Sequence, residues 1–174
     1  MLFNHKYRKQ RGIWGGSIEV LLLYLAIGLI VTLGVGRAYV ALAKSKTNAE
    51  WDTIDGVAAA MRDEYPGQAY PTGDDSADLI SNHKLGNIRT DGSVTIYGST
   101  GQIVPTGAGA TFTVSDPGLS YDICVGVLTS MPATGYSQVT VNGTAITNFR
   151  IITDQAKPLC TQAGNSNTIV VTSQ

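Results

Sequence analysis

The chain has 174 residues, of which 43% are hydrophobic and only 14% charged, with a net charge of −1. That is room for one ordinary domain plus an appendage, with enough apolar residues for a core. Residues 1–12 carry +4, residues 13–65 carry −2 and residues 66–174 carry −3. Lys and Arg are thus not gathered into a patch beyond the first dozen residues, which argues against a nucleic-acid-binding face.

The first twelve residues, MLFNHKYRKQRG, hold Lys6, Arg8, Lys9 and Arg11 and no acid. The next twenty-four, IWGGSIEVLLLYLAIGLIVTLGVG, hold one charge, Glu19, and none from Val20 to Gly36. A basic head before an apolar run suggests a secretory signal, but signal cores are about 7–15 residues long. This run is longer, and no small-x-small cleavage site closes it. A spanning helix needs about 20 apolar residues, which Ile18–Val35 nearly supplies, and the basic head then stays cytoplasmic. Glu19 is costly in such a helix unless it has a partner, which marks it as functional. Gly28, Gly34 and Gly36 each cost a helix about 1 kcal/mol against Ala. They suit close helix packing or a helix that must loosen when it leaves the bilayer.

From Arg37 the pattern becomes amphipathic. Trp51, Ile54, Ala58, Met61 and Tyr65 step by three and four, one helix face, until Pro66-Gly67 stops it. One helix from about Ile13 to Tyr65 would be roughly 80 Å long. Its first half, apolar all round, belongs in lipid or among other helices, while its second half, with one stripe, needs a sheet against it.

Residues 66–92 are turn-rich. Asp74, Asp75 and Asp78 lack the Gly and distal Glu of an EF-hand, so a solvated loop leading to a short helix near Ser76–His83 is expected. His83 has no Cys, His or paired carboxylate near it in sequence, so no metal site is expected. Strands are expected at 93–97, 111–115, 137–141, 146–152 and 168–172, with Asn142-Gly143 as a hairpin turn. Asn142-Gly143-Thr144 also fits a glycosylation pattern and is read as that turn. No motif is assignable over 67–110. Apolar spacing from Leu119 to Met131 is helical and closed by Pro132. That places Cys124 on a short helix and Cys160 in a loop before the last strand. If the chain is exported, both lie in an oxidising space and would pair, closing a loop worth about 3–4 kcal/mol; the alternative is two separate buried thiols. There is no G-x-S-x-G, P-loop, H-E-x-x-H or dinucleotide fingerprint, so neither catalysis nor a cofactor is expected.

RKQRG followed by the apolar run with its early Glu resembles the N-terminus of a type IV prepilin. The resemblance implies that a prepilin peptidase cuts after a leader Gly on the cytoplasmic face, that the new N-terminal amine is methylated, and that Glu19 pairs with the N-terminal amine of a neighbouring subunit. The family places that Glu fifth. A cut after Gly12, the better leader end, makes Ile13 the first residue and Glu19 the seventh. A cut after Gly15 makes Gly16 the first and Glu19 the fourth.

The whole chain is similar to this family, most of all to its type IVb branch, the thin-pilus major pilins of conjugative plasmids and enteric pathogens. The fold implied is α+β, a long N-terminal helix packed on an antiparallel sheet with a C-terminal region closed by Cys124 and Cys160. Residues 1–12 would be a removed leader, 13–36 the membrane and polymerisation half of the helix, 37–65 its amphipathic half and 66–174 the outer domain. The function implied is a homo-oligomeric helical filament. Its subunits wait in the inner membrane, N-terminus in, and become extracellular on assembly by dedicated machinery, for adhesion or cell contact such as conjugation. Two other readings share the sequence features: a minor pilin or secretion pseudopilin, and a membrane-anchored periplasmic binding module in which Glu19 is incidental.

Overall fold

A computed structural model of the chain describes residues 14–132, 135–146, 149–161 and 163–174, with the backbone alone at 14–19 and 30–40. The chain divides into two compact units, Met1–Ala41 and Leu42–Gln174.

Helix α1 runs Trp14–Glu64, and Gly67, at φ 68°, turns the chain away after it. In the second unit its apolar stripe is the core face. Ile54, Val57, Ala58 and Met61 are fully buried, and Trp51 and Tyr65 pack at the margin. The same face also buries Glu50 and Thr47, although Glu50 reads in the sequence as one of the polar positions.

The sheet contains β1 (Tyr70–Asp74), β2 (Arg89–Thr90), β3 (Ile96–Tyr97), β4 (Gln102–Gly109), β5 (Thr111–Ser120), β6 (Gln138–Val141), β7 (Thr144–Ile146) and β8 (Asn165–Ser173). Their order is β2-β3-β4-β5-β8-β6-β7, with β1 beside β4, and every pairing is antiparallel. Alternation sets the core. Phe112, Val114 and Asp116 of β5 lie opposite Ser173, Val171 and Ile169 of β8, and Val171 and Ile169 pair on their other side with Val139 and Val141 of β6. All of these are buried, as period-two strands over one apolar layer require.

Three more helices complete the unit: α2 (Ser76–Ser81), α3 (Tyr121–Ser130) and α4 (Thr153–Ala156), the last running into a 3₁₀ turn at Lys157–Leu159. The expected hairpin forms at Asn142 (φ 50°) and Gly143 (φ 82°). Two successive left-handed residues match the strand twist, and Gly adopts that conformation without strain.

Several expectations need correcting. Of the strand expected at 146–152, the described part begins earlier, Thr144–Ile146, and residues 149–152, which lead into α4, are not strand. The strand expected at 93–97 is only Ile96–Tyr97. Asp91 Oδ1 accepts the N–H groups of Ser93, Val94 and Thr95, each at 2.9 Å, and holds that stretch as a turn. The solvated loop expected before the helix near Ser76 contains β1, and Asp75 is buried at 2% exposure.

Candidate functional site

Two regions carry the features that set this chain apart. The first is the start of α1. Gly15 and Gly16 lie on its first described turn and Glu19 on the next; the Glu19 side chain lies outside the described residues, as do Gly12 and Ile13. Val20–Leu29 is the part of the apolar run whose side chains are described, and all of it is exposed, Leu21 at 62% and Tyr24 at 70%. Leu21, Tyr24, Leu25, Gly28 and Leu29 step by three and four down one side. An uncharged exposed patch of this kind marks a surface made for another protein or for lipid. Among the described residues no helix is long and apolar enough to cross a membrane.

The second region is the C-terminal part of the sheet, closed by a bond between Cys124 on α3 and Cys160 after the 3₁₀ turn, with Cα atoms 6.1 Å apart. Both cysteines are buried. The loop they close contains the β6–β7 hairpin and α4. Two asparagines bind it to the sheet. Asn142 Nδ2 donates to Leu159 O and to Asn167 Oδ1, each at 2.9 Å, and its Oδ1 accepts the Thr168 N–H at 2.9 Å. With both amide hydrogens engaged, Asn142 serves the turn. Asn167, fully buried, also accepts from Thr161 N–H at 2.6 Å and donates to Leu119 O and Thr161 O at 3.0 and 3.1 Å. Sequence reasoning missed Asn167. Its only signal was an amide at the start of a β-type run.

A clamp joins the second half of α1 to the sheet. Arg62 Nη2 donates to Ser173 Oγ at 2.9 Å and to Gly135 O at 3.0 Å. Its guanidinium lies 5.7 Å from the Phe112 ring centre and 5.6 Å from that of Tyr136. The Tyr136 hydroxyl donates to Asp55 at 2.6 Å, and burial followed by the Asp55 carboxylate pushes its pKa well up. Trp51 meets Tyr136 edge-on at 5.7 Å.

The remaining candidates are dispersed. Asp74 Oδ1 accepts the Ser76 N–H at 2.9 Å, while burial, then the charge of Asp78, raises the pKa of Asp75. His83, two residues beyond α2, is left-handed and exposed. Among the described residues no group of three or more His, Cys, Asp or Glu is placed to hold a metal ion.

The protein family described as PilS N terminal matches residues 44–174. The chain belongs to this family of type IV pilins. Two solved structures share the pilin's fold. One is a type IVb pilin from Salmonella typhi, with 23% identity and a TM-score of 0.58 over 71% of this chain and 97% of that one. The other is TcpA, a type IV pilin from the Vibrio cholerae El Tor biotype, with 15% identity and a TM-score of 0.53 over 75% of this chain and 99% of that one. No curated protein matches the pilin. The α+β architecture and the disulfide-closed C-terminal region expected from the sequence are those of this fold.

Proposed function

We propose that this pilin is the major structural subunit of a type IVb pilus and polymerises through the first half of α1. The observation that carries the reading is the uncharged, exposed helix surface from Val20 to Leu29, joined in one chain to a disulfide-closed domain with its own buried core. The domain has buried its own apolar stripe, so the remaining apolar surface is left for other molecules. The inner membrane covers it before assembly, with the basic head inside, and copies of the same helix cover it in the filament. Exchange of lipid for protein yields little hydrophobic gain, so packing must supply specificity.

In this reading a prepilin peptidase removes residues 1–12, the amine of Ile13 is methylated, and Glu19 accepts a charge-assisted hydrogen bond from a neighbour's N-terminus within an apolar bundle. A cut at Gly15–Gly16 is the alternative register. The outer domain faces the surroundings and serves adhesion or cell–cell contact, conjugation among them.

The test is to shear fibres from cells and identify their main component by mass spectrometry, with and without Glu19→Ala. Fibres built mostly of this chain, and lost in the variant, are the expected result. Scarcity of the chain in fibres would point to a minor pilin or pseudopilin, and its absence from every fibre to an anchored binding module. Normal fibre numbers from Glu19→Ala would remove the pairing role. Intact mass of the mature chain reads the cleavage register directly.

A further inference from the structure

Where α1 meets the sheet, two carboxyl groups are buried side by side. Glu50 of α1 and Asp116 of β5 are both completely shielded from water, and the charge of Glu50 bears on the Asp116 carboxyl. The turn between β3 and β4 supplies donors to one of them only. Ser99 N–H reaches Glu50 Oε2 at 2.6 Å, the Ser99 hydroxyl bonds the same oxygen, and Thr100 Oγ1 donates to Oε1 at 3.3 Å. The two oxygens of Asp116 receive no donor at all. The site is tightly filled, since a Cβ at Gly98 would collide with Glu50 Oε1.

Two ionised carboxylates do not share a dry site without a cation, and no ion pair to either is found among the described residues. On α1, Lys46 is exposed and offers only its carbonyl oxygen, to the Ser99 hydroxyl at 3.4 Å. The turn from Gly98 to Gly101 is uncharged. On β8, Ile169 lies opposite Asp116, and the amide of Asn167 is committed elsewhere. Inward from β4 comes Ile103. The donors decide which acid is charged. Glu50, with three, is the carboxylate; Asp116, with none, holds the proton and can donate it to Glu50.

We propose that Glu50 and Asp116 share one proton and form a pH-sensitive lock between α1 and β5, which acid tightens and alkali loosens. Burial and then the Glu50 charge push the Asp116 carboxyl up from 3.8 to about 9. Because the folded value is the higher, its contribution to stability is complete below the unfolded value of 3.8 and is lost as the pH rises through about 9. Across that window the folded pilin keeps a proton that the unfolded chain releases, so stability declines with rising pH.

The test uses the full chain in detergent micelles, followed by thermal unfolding and infrared absorption. The wild-type midpoint should fall between about pH 5 and about pH 8.5. Asp116→Asn, whose amide donates to Glu50 without a titrating proton, should flatten that fall and melt higher than wild type at the alkaline end. The infrared band of a neutral carboxylic acid should persist in wild type at neutral pH, vanish above about 9, and lose intensity in Asp116→Asn. If Asp116→Asn does not fold, Glu50→Gln gives an equivalent reading, because removing the facing charge moves loss of the band to lower pH. A wild-type protein without the neutral-acid band, an Asp116→Asn variant with the wild-type slope, or a band unmoved by Glu50→Gln would overturn the proposal.

Discussion

Asn142 at the tip of the β6–β7 hairpin and Asn167 at the inner edge of β8 are joined amide to amide, Nδ2 to Oδ1, at 2.9 Å. Through this contact the hairpin turn, the segment after Cys160 and the end of β5 share one hydrogen-bond network. Asn167→Leu leaves the buried Leu119 O without its donor and the backbone N–H and C=O of exposed Thr161 to water. An unsatisfied buried group costs roughly 1–3 kcal/mol, and a loss of about that size is expected, measured by the thermal midpoint. Asn142→Asp is the milder probe, removing both donated bonds and setting a carboxylate against two acceptor oxygens. An unchanged midpoint in either variant would show that the network is ornamental.

The bond between Cys124 and Cys160 closes a stretch 36 residues apart in sequence. Its removal by paired Ala substitutions should cost about 3–4 kcal/mol on the loop-entropy account. Limited proteolysis should then cut first within residues 125–159, ahead of β5 and β8. Equal cleavage throughout the outer domain would mean that the bond supports the whole core rather than the region it encloses.

Arg62 combines a forked hydrogen bond with contacts to two aromatic rings. Lysine keeps the charge but has neither the planar fork nor the same stacking. Arg62→Lys and Arg62→Met should therefore lose similar stability, roughly 1–3 kcal/mol. Full rescue by lysine would show that charge alone matters there.

The Asp91 turn should respond to pH in the sense opposite to Asp116. Backbone N–H groups, Thr95 foremost, hold its carboxyl well below the usual range. The bonds are thus complete above the ordinary aspartate value and are lost only as the pH falls through the lower, folded value. Amide exchange at Val94 and Thr95 should stay protected in moderately acidic buffer and accelerate in Asp91→Ala. Fast exchange in wild type at neutral pH would contradict the turn.

Much of this architecture is legible from residue order. The α1 stripe, the Asn142-Gly143 turn and the Cys124 helix follow from period and turn chemistry, because each is a local pattern that packing reinforces. What eluded sequence reading is non-local. Strand β4, QIVPTGAG, sets Pro105 and Gly107 on its inward face beside Ile103, so no alternation of large apolar residues announces it. Pro105 lies opposite Val114 in the ladder, and its carbonyl accepts the Asp75 N–H at 3.1 Å. Glu50 looks like any polar helix residue until the Ser99 turn folds over it, and Asp116 looks like a turn acid until β5 runs on past it. At the start of α1, composition is informative about the surface and silent about any partner of Glu19.

The sheet's margins have a bearing on how such a subunit is crowded safely. β2 has two residues and β7 three. β1, alongside β4, contains Pro71 and a break in register between Tyr70 and Gly73. Short, proline-bearing and irregular strands make poor templates for another chain's backbone. Copies of this chain brought close together are thereby steered away from amyloid-like, strand-to-strand pairing.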